Sequence, residues 1–543
     1  MPITPTYPGI YIEELLSNAH TITAAPTSVT VFVGYTHPYK TPPANFGQAV
    51  QIFSFSDYQR AFGGLYSVDW LADDVGQAVN EFFLNGGAVA YVVGLQANFN
   101  DLVTKTAASI PAPSLTVPGS VASTGILFTG LEPVDGSKLL TVSITNLRPS
   151  VSGSSVNDLA DLVVTYGSRT ETYRRVTLNP TPAPADAGNT LEKRLGTATA
   201  PVSSLVSVSV PSGDTGYPAA WPFALAPTPL AMTMPSDPFT TYSPGDFAAT
   251  FQEDSPLDKV QIFNLLLTPG IWDLPVVSEA LAFCERKRAF MIMDPPADAG
   301  ADHSSDPLPL IGDIMSDAVP GRTIPKSQNG ALYFPYLRSQ DPQTGNPVTI
   351  PPSGYVAGIF SAEDTNRGVW KAPAGLETII NDTSGVVPSG VMTDARQGTL
   401  NPMGVNCLRG FPGIGTVIWG ARTSVAANPA FQQYRYVPVR RMALFLEQSL
   451  VSSLGWVMFE PNDTPLWVSI RTTINDFMLG LFNQGAFAGS TPSQAFQVLC
   501  DATTTTPDDQ ANGIVNVLVA FAPLIPTEFL VIQIAQKAGQ AAA

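Results

Sequence analysis

Histidine is the first place to look for acid–base or metal chemistry, and this chain has three, His20, His37 and His303. Each lies in a Pro-, Thr- or Asp-rich stretch without a second ligand at metal spacing, so all three read as surface or turn residues. The cysteines, Cys284, Cys407 and Cys500, are far apart and odd in number. They spell neither a disulfide framework nor a CxxC site, and buried thiols are the economical reading. Carboxylate pairs at Glu13-Glu14, Asp73-Asp74 and Glu253-Asp254 carry the groups for acid–base work, but sequence neighbours point apart and a solvated face is the simpler reading. No GxxxxGK[ST] loop or GxSxG elbow occurs, and Gly410, Gly413 and Gly415 miss the dinucleotide fingerprint, which leaves them as turn glycines. The expectation is therefore a protein with no catalytic residues, no cofactor and no metal.

The elements around these residues alternate strand and helix. VTVFVG (29–34) and AVAYVVGL (88–95) are apolar runs that predict buried strands, and Leu71, Val75, Ala78, Val79, Phe82 and Phe83 follow a helical spacing between them. The same grammar resumes with QIFNLLLTPG (261–270), a helix around Val276–Arg288 and the strand AFMIMD (289–294). Between the two blocks, residues 96–245 turn to Ser, Thr, Ala, Pro and Gly, with strand-like KLLTVSIT (138–145), DLVVTYG (161–167) and SLVSVSV (204–210), which predicts a β-rich insertion. Near the C-terminus, Met442–Leu454 reads as a helix. Asn462-Asp463-Thr464-Pro465 spells a helix start whose apolar face is Leu466, Trp467, Ile470, Ile474, Phe477, Met478, Leu481 and Phe482. Two strand-like runs follow, IVNVLVAF (514–521) and EFLVIQIA (528–535).

With 543 residues the chain has room for three to four domains. Its formal charge of -17 argues against general nucleic-acid binding, which needs clustered Lys and Arg. Only 13% of residues are charged, against about 25% in ordinary soluble domains, so some apolar surface is expected to be buried against partners. The 50 prolines and 44 glycines rule out an all-α fold. The opening MPITPTYPGIYIEELLS has neither the basic start nor the apolar run of a signal peptide, and no stretch reaches 18 uninterrupted apolar residues. The expectation is a protein made in the cytoplasm, without direct membrane insertion.

Several strings in shared order resemble the tail sheath proteins of contractile phages and contractile injection systems: TPTYPGIYIEEL with HTITAAPTSVTVFVG, then SFSDYQRAFGG (54–64) and FFLNGGAVAYVV (82–93). The resemblance continues in ALYFPYL (331–337), IPPSGYVAGIFSAEDTNRGVWKAPAG (350–375), LNPMGVNCLRGFPGIGTVIWGARTS (400–424), FEPND with LW (459–467) and APLIPTEFLVIQIAQ (522–536). It covers about residues 5–95 and 255–536 and leaves the insertion unmatched. It implies a multidomain α+β or α/β fold: an N-terminal arm (1–25), a first core segment (26–95), a β-rich outward-facing insertion (96–245), an α/β sheath domain (246–400), an inner domain facing the tube (401–525) and a C-terminal strand or arm (526–543).

The resemblance also implies a structural, non-enzymatic subunit that forms a helical homopolymer around an inner tube and contracts to drive that tube through a target envelope. Its partners would be itself, the tube protein, and baseplate and tail-terminator or cap proteins, in a phage tail or an injection particle released from the cell. The arm from Pro2 to His20 can span roughly 60 Å at about 3.3 Å per residue, enough to reach a neighbour. Pro8, Gly9, Ile10, Tyr11 and Ile12 have the alternation of a strand that adds to a foreign sheet edge, and Leu530, Ile532 and Ile534 have the same; the last strand is either donated or internal. Trp370, Arg409, Trp419 and Arg422 are expected at a domain junction, where arginine forks pair with carboxylates. Arg440, Arg441, Glu447 and Asp463 are candidates for a tube-facing surface. Two other readings stand beside this one: a different self-assembling coat or baseplate protein, and an α/β hydrolase or glycosidase with a β-rich accessory domain, for which the sequence spells no cluster of converging carboxylates and aromatics.

Overall fold

Apolar residues at every position of a short run demand burial on both faces, and the computed structural model meets that demand with a central eight-stranded sheet. The structure describes residues 20–37, 40–66, 72–96, 114–118, 125–131, 140–149, 158–166, 169–177, 184–197, 199–209, 230–231, 243–296, 325–342, 345–387 and 392–533. The sheet strands are β1 (Thr30–Tyr35), β2 (Ala49–Ile52), β3 (Ala90–Leu95), β4 (Leu265–Leu267), β5 (Phe290–Met293), β6 (Gly330–Phe334), β7 (Val405–Phe411) and β8 (Gly415–Trp419). Their order is β2-β3-β1-β4-β5-β6-β7-β8. Strands β3 to β7 run parallel to one another and to β1, while β2 and β8 close the two edges antiparallel.

Six helices concern the argument: α1 (Phe55–Phe62), α2 (Asp74–Leu84), α3 (Leu274–Lys287), α4 (Ser353–Asn366), α5 (Val437–Ser453) and α6 (Thr464–Asn483). The strand period of two divides the sheet residues between its faces. Val31, Val33, Leu266, Met291 and Leu332 pack with α3 and the helix Pro244–Thr250, whereas Phe32, Leu265, Leu267, Phe290, Ile292 and Tyr333 pack with α1, α2 and α4. Helices α2 and α4 approach closely because Gly354 and Gly358 lie one turn apart on the same face. A methyl on Gly354 would run into the Ala78 carbonyl, and one on Gly358 would lie 2.7 Å from the Phe82 carbonyl.

The described part of the 96–245 region carries antiparallel sheets of three, four and two strands over a separate core of Phe128, Val142, Leu162, Val164, Leu195 and Val206. Its path leaves the sheet after β3 and returns through Pro244–Thr250, where Tyr35 Oη accepts from the Ser243 N–H at 2.8 Å. The C-terminal part forms another core, with Met442, Phe445, Leu466, Trp467, Ile470, Ile474 and Met478 from α5 and α6 against a two-stranded sheet of Phe496–Leu499 and Leu518–Phe521. Asp463 caps α6 as its sequence predicts, accepting from Leu466 N–H at 3.0 Å. The described part of the run EFLVIQIA, residues 528–533, has no regular secondary structure.

Candidate functional site

Hydroxyls spaced four apart lie on one helical face, and on α5 they receive the N-terminal end of the described chain. Ser449 Oγ accepts from the Ala25 N–H at 3.0 Å and Ser453 Oγ from the Thr23 N–H at 3.1 Å. One turn beyond the helix, the Trp456 ring stacks on His20 with centroids 3.8 Å apart. At the start of the same path, Arg441 Nη2 donates to the Thr27 carbonyl at 3.0 Å. Residues 20–27 therefore run along α5 to its C-terminal end. Pro8, Gly9, Ile10, Tyr11 and Ile12 lie outside the described residues.

The C-terminal segment is held at the opposite end of α5. After the strand Leu518–Phe521 the chain keeps two backbone bonds, Ala522 N–H to Ala495 O at 2.8 Å and Ala488 N–H to Ala522 O at 3.0 Å. It then reaches Glu528, whose carboxylate receives Arg422 Nε at 2.8 Å and Nη2 at 2.5 Å, with Tyr436 Oη donating at 3.1 Å. Tyr436 immediately precedes α5. The Arg422 side chain is only 3% exposed and is fixed further by Nη1 donating to the Asn401 carbonyl at 2.9 Å. These donors outweigh burial and hold the Glu528 carboxyl below its ordinary range, so the clasp is charged at neutral pH. Directly after it, Phe529, Leu530, Val531 and Ile532 are 70 to 81% exposed. Leu530 and Ile532 thus have no partner face among the described residues, and Ile534 lies outside them.

The four residues expected at a domain junction border this segment. Arg409 and Trp419 line a cavity of about 330 Å³ that Pro526, Thr527, Glu528 and Phe529 close from the other side. Trp370 lines a neighbouring cavity of about 490 Å³ with Leu524, Ile525 and Pro526. Arg409 is held by Asp394 at 2.7 Å and Gln397 Oε1 at 2.9 Å and lies over the Phe411 ring. Arg422 forms the carboxylate fork expected of it. Its partner Glu528 and the assisting Tyr436 carry no sequence signal, being separated from it by 106 residues in one case and lacking any motif in the other.

Two of the tube-facing candidates require correction. Arg440 and Arg441 are buried, at 7% and 3% exposure. Arg441 makes a bidentate pair with Asp364 at 2.6 and 2.9 Å and lies over the Phe360 ring. Arg440 donates to Asn329 Oδ1 at 3.0 Å and covers the Tyr434 ring. Both point from α5 into the sheet domain and tie the two parts of the subunit together; a buried guanidinium needs such fixed acceptors. Glu447 is part-exposed on α5 beside Arg440 and Arg288, and Asp463 is an exposed helix cap.

The three cysteines are buried and unpaired, with burial pushing the Cys407 thiol up to about 12. His37 is fully buried rather than at the surface, its Nδ1 accepting from the Lys40 N–H at 3.1 Å. Nor is Asp73-Asp74 a solvated pair: Asp73 caps α2 by accepting from Gly76 N–H at 3.0 Å and Tyr66 N–H at 2.9 Å, and burial pushes Asp74 up to about 7. Among the described residues no three His, Cys, Asp or Glu side chains come together to hold a metal ion, and no helix is long and apolar enough to cross a membrane. What the geometry offers is two terminal segments of the described chain secured at opposite ends of one helix, the second followed by an exposed apolar run.

Comparison with known proteins bears on the same regions. Residues 258–424 match the phage tail sheath protein central domain. A tail sheath protein of Vibrio phage KVP40 is 26% identical over 155 residues, 28% of this chain; the match spans 22% of that relative's length. The fold is that of a chain in the helical sheath of the anti-feeding prophage in its contracted state, with a TM-score of 0.56, 21% identity, and 98% of this chain and 100% of that one covered. A chain of the contracted sheath complex of the extracellular contractile injection system PVC aligns equally well, at TM-score 0.56 and 21% identity over 99% of each chain.

Proposed function

Starting from a chain that carries the central domain of phage tail sheath proteins and is homologous to contractile sheath subunits, we propose that it is the repeating unit of a contractile sheath. In this reading the subunits polymerise helically around an inner tube in an extended state. They then shorten and widen together, driving the tube through a target envelope. The observation that carries the reading is the C-terminal segment: a charged clasp at Glu528 followed at once by an apolar run that is exposed and without a partner among the described residues. Such a run is suited to strand addition on an adjacent subunit, with main-chain hydrogen bonds supplying affinity and alternate side chains the register. The position of His20 on Trp456, beyond the other end of α5, supports contact of the N-terminal arm with a second neighbour. Contacts of this head-to-tail kind build open helices rather than closed rings.

No nucleotide is consumed in this mechanism. The work comes from the difference between two packings of the same subunits, a few kcal/mol each, summed over the polymer. The sheath family is structural rather than enzymatic. The β-rich insertion is assigned to the outer surface and the α5–α6 domain to the tube side. The further partners are the tube protein, a baseplate and a terminator or cap, met in the bacterial cytoplasm before the particle is complete.

The test is electron microscopy of the purified full-length chain, alone and with the tube protein. Hollow tubes or cogwheel-like stacks are expected, and deletion of residues 1–20 should leave a folded subunit that forms neither. Dispersed monomers from the intact chain under both conditions, or wild-type-like tubes from the deletion, would overturn the reading.

A further inference from the structure

An aromatic side chain held fully in solvent by a fixed backbone forgoes burial that its own chain could have supplied. Phe459 is the most exposed large apolar side chain among the described residues, and Met458 before it is 67% exposed. The Phe459 backbone has a φ of 69°, the left-handed region that a bulky residue seldom adopts. The turn around it is nevertheless braced. Glu460 N–H donates to the Val457 carbonyl at 3.2 Å, Asp463 N–H to the Pro461 carbonyl at 3.0 Å, and Asn462 Nδ2 to the Ile514 carbonyl at 3.1 Å. The ring is thus presented outward just before the start of α6. Glu460, the next residue, is exposed and forms no ion pair among the described residues. The loop offers an aromatic ring and a carboxylate side by side.

The complementary feature is at the far end of the same helix. Gln484, the residue that ends α6, lines the cavity of about 490 Å³ together with Trp370, Leu524, Ile525 and Pro526. Ile525 is itself 68% exposed, so the cavity opens to the surface. A cavity of about 150 Å³ takes a benzene ring, and this one has room for a phenyl ring against the Trp370 indole. Its lining carries two cations, Arg367 and Lys371, and no carboxylate of the described residues. Glu377 reaches these cations from outside the cavity at 3.4 and 3.9 Å, and Glu363 reaches Lys371 at 3.3 Å. The Arg367–Glu377 pair is exposed at both ends, hence weak, and leaves the guanidinium able to meet a further carboxylate. The 20 residues of α6 span about 30 Å. Ring and cavity are therefore unlike patches at opposite ends of one helix and cannot meet within one chain.

We infer that Phe459 of one copy of this chain enters the Trp370 cavity of a second copy, with Glu460 against Arg367 and Lys371 at its mouth. The choice of a second copy rests on the assembly reading above, joined to the match of ring to apolar cavity and of carboxylate to cations. Each copy then keeps a free ring at one end and a free cavity at the other, so the contact repeats head to tail and gives an open chain of subunits. It runs through α6 and needs neither terminal segment of the chain.

Two measurements on the full-length chain decide it. The first is the concentration at which subunits become pelletable, alone or with the tube protein. Phe459→Gly should raise it roughly thirtyfold, the scale of truncating an aromatic anchor in a desolvated pocket. The same variant should keep or raise the melting temperature of the dilute subunit, because glycine accepts the positive φ, so misfolding cannot mimic the result. Ile525→Glu, at an exposed position, sets a like charge before Glu460 and should raise the pelletable concentration roughly tenfold. The second is cross-linking of Glu460→Cys combined with Thr527→Cys, an exposed residue of the cavity lining, by a short bismaleimide. A ladder of dimers, trimers and longer species is expected from the double variant and none from either single one, since the three native cysteines are buried. A ladder that stops at dimers overturns the head-to-tail contact. Weakened assembly in Phe459→Gly, with no effect of Ile525→Glu and no ladder, overturns the cavity as the partner of the ring. Normal pelleting by both variants overturns the contact while leaving the sheath reading intact. A wild type that pellets under neither condition overturns the sheath reading, and this contact with it.

Discussion

Removing the carboxylate of Glu528 should free the C-terminal segment without unfolding the subunit. In Glu528→Ala, Arg422 loses both arms of its fork and Tyr436 loses its acceptor, leaving the guanidinium with the Asn401 carbonyl. Stranding one member of a buried pair costs about 3–5 kcal/mol when the survivor stays dry. Here Glu528 borders the 330 Å³ cavity, so water can enter as the segment lifts and part of that penalty is relieved. About 2–3 kcal/mol is the expected loss, and at about 1.4 kcal/mol per factor of ten the open population rises about 30- to 150-fold. Limited proteolysis with a broad-specificity protease, read by mass spectrometry, reports it, because cleavage tracks the open population when reclosing is fast. Cuts between Leu524 and Glu528 should accelerate by that factor while the thermal midpoint of the rest of the chain barely moves. Glu528→Gln, which keeps an acceptor and loses the charge, should fall between the two. An Ala variant cut within about threefold of the wild-type rate would refute the clasp, as would one whose whole C-terminal domain melts with the segment.

Gly354→Ala should destabilise the chain by about 1–3 kcal/mol or more in chemical denaturation, since its methyl meets the Ala78 backbone rather than a side chain that can turn away; a neutral result would mean α2 and α4 can part at no cost. Asp463→Ala should cost about 1 kcal/mol through loss of the α6 cap, and Asp463→Asn should restore most of it. Stability should fall as pH rises from about 5 to 8.5. Burial pushes Asp294 up to about 6, Asp74 up to about 7 and, with the facing Asp382 carboxyl, Glu81 up to about 8, so the folded chain holds protons that the unfolded chain has released. That contribution is complete below the ordinary carboxyl range and disappears as pH passes through these raised values. Thermal midpoints across that window check the sign, and Glu81→Gln should flatten its upper part.

Local pattern carried most of the fold. Thr30–Tyr35, Ala90–Leu95 and Phe290–Met293 were legible because unbroken apolar runs can only be strands covered on both faces, and α6 because Asp463 and Pro465 mark its first turn. The parallel order of the sheet was not, since pairing Thr30 with Leu265 crosses the whole insertion. At the site, Arg422 could be named as a carboxylate binder from residue type, but Glu528 lies 106 residues away and no periodicity connects them. Arg440 and Arg441 misled for a related reason: charge on a helix suggests solvent, and only Asp364 and Asn329, brought in from distant segments, make their burial tolerable. The alternation in EFLVIQIA predicts a strand, whereas residues 528–533 have no regular secondary structure, and nothing in the sequence tells which chain would supply a partner.

The anchoring of both chain ends on α5 has a mechanical meaning. Its 17 residues span about 25 Å at 1.5 Å per residue, with Ser449 and Ser453 gripping one strand of traction near the far end and Tyr436 with Arg422 gripping the other at the near end. A pull on residues 20–27 is therefore shared between α5, through Ser449 and Ser453, and the sheet, which the chain enters at Thr30, while a pull on Glu528 is shared between Tyr436 at the start of α5 and Arg422 just after β8. The helix itself is stayed to the sheet domain by Arg441 on Asp364 and Arg440 on Asn329. The helix is a tie between the two anchored segments, set in parallel with the sheet, and the separate core of the β-rich insertion makes none of these contacts.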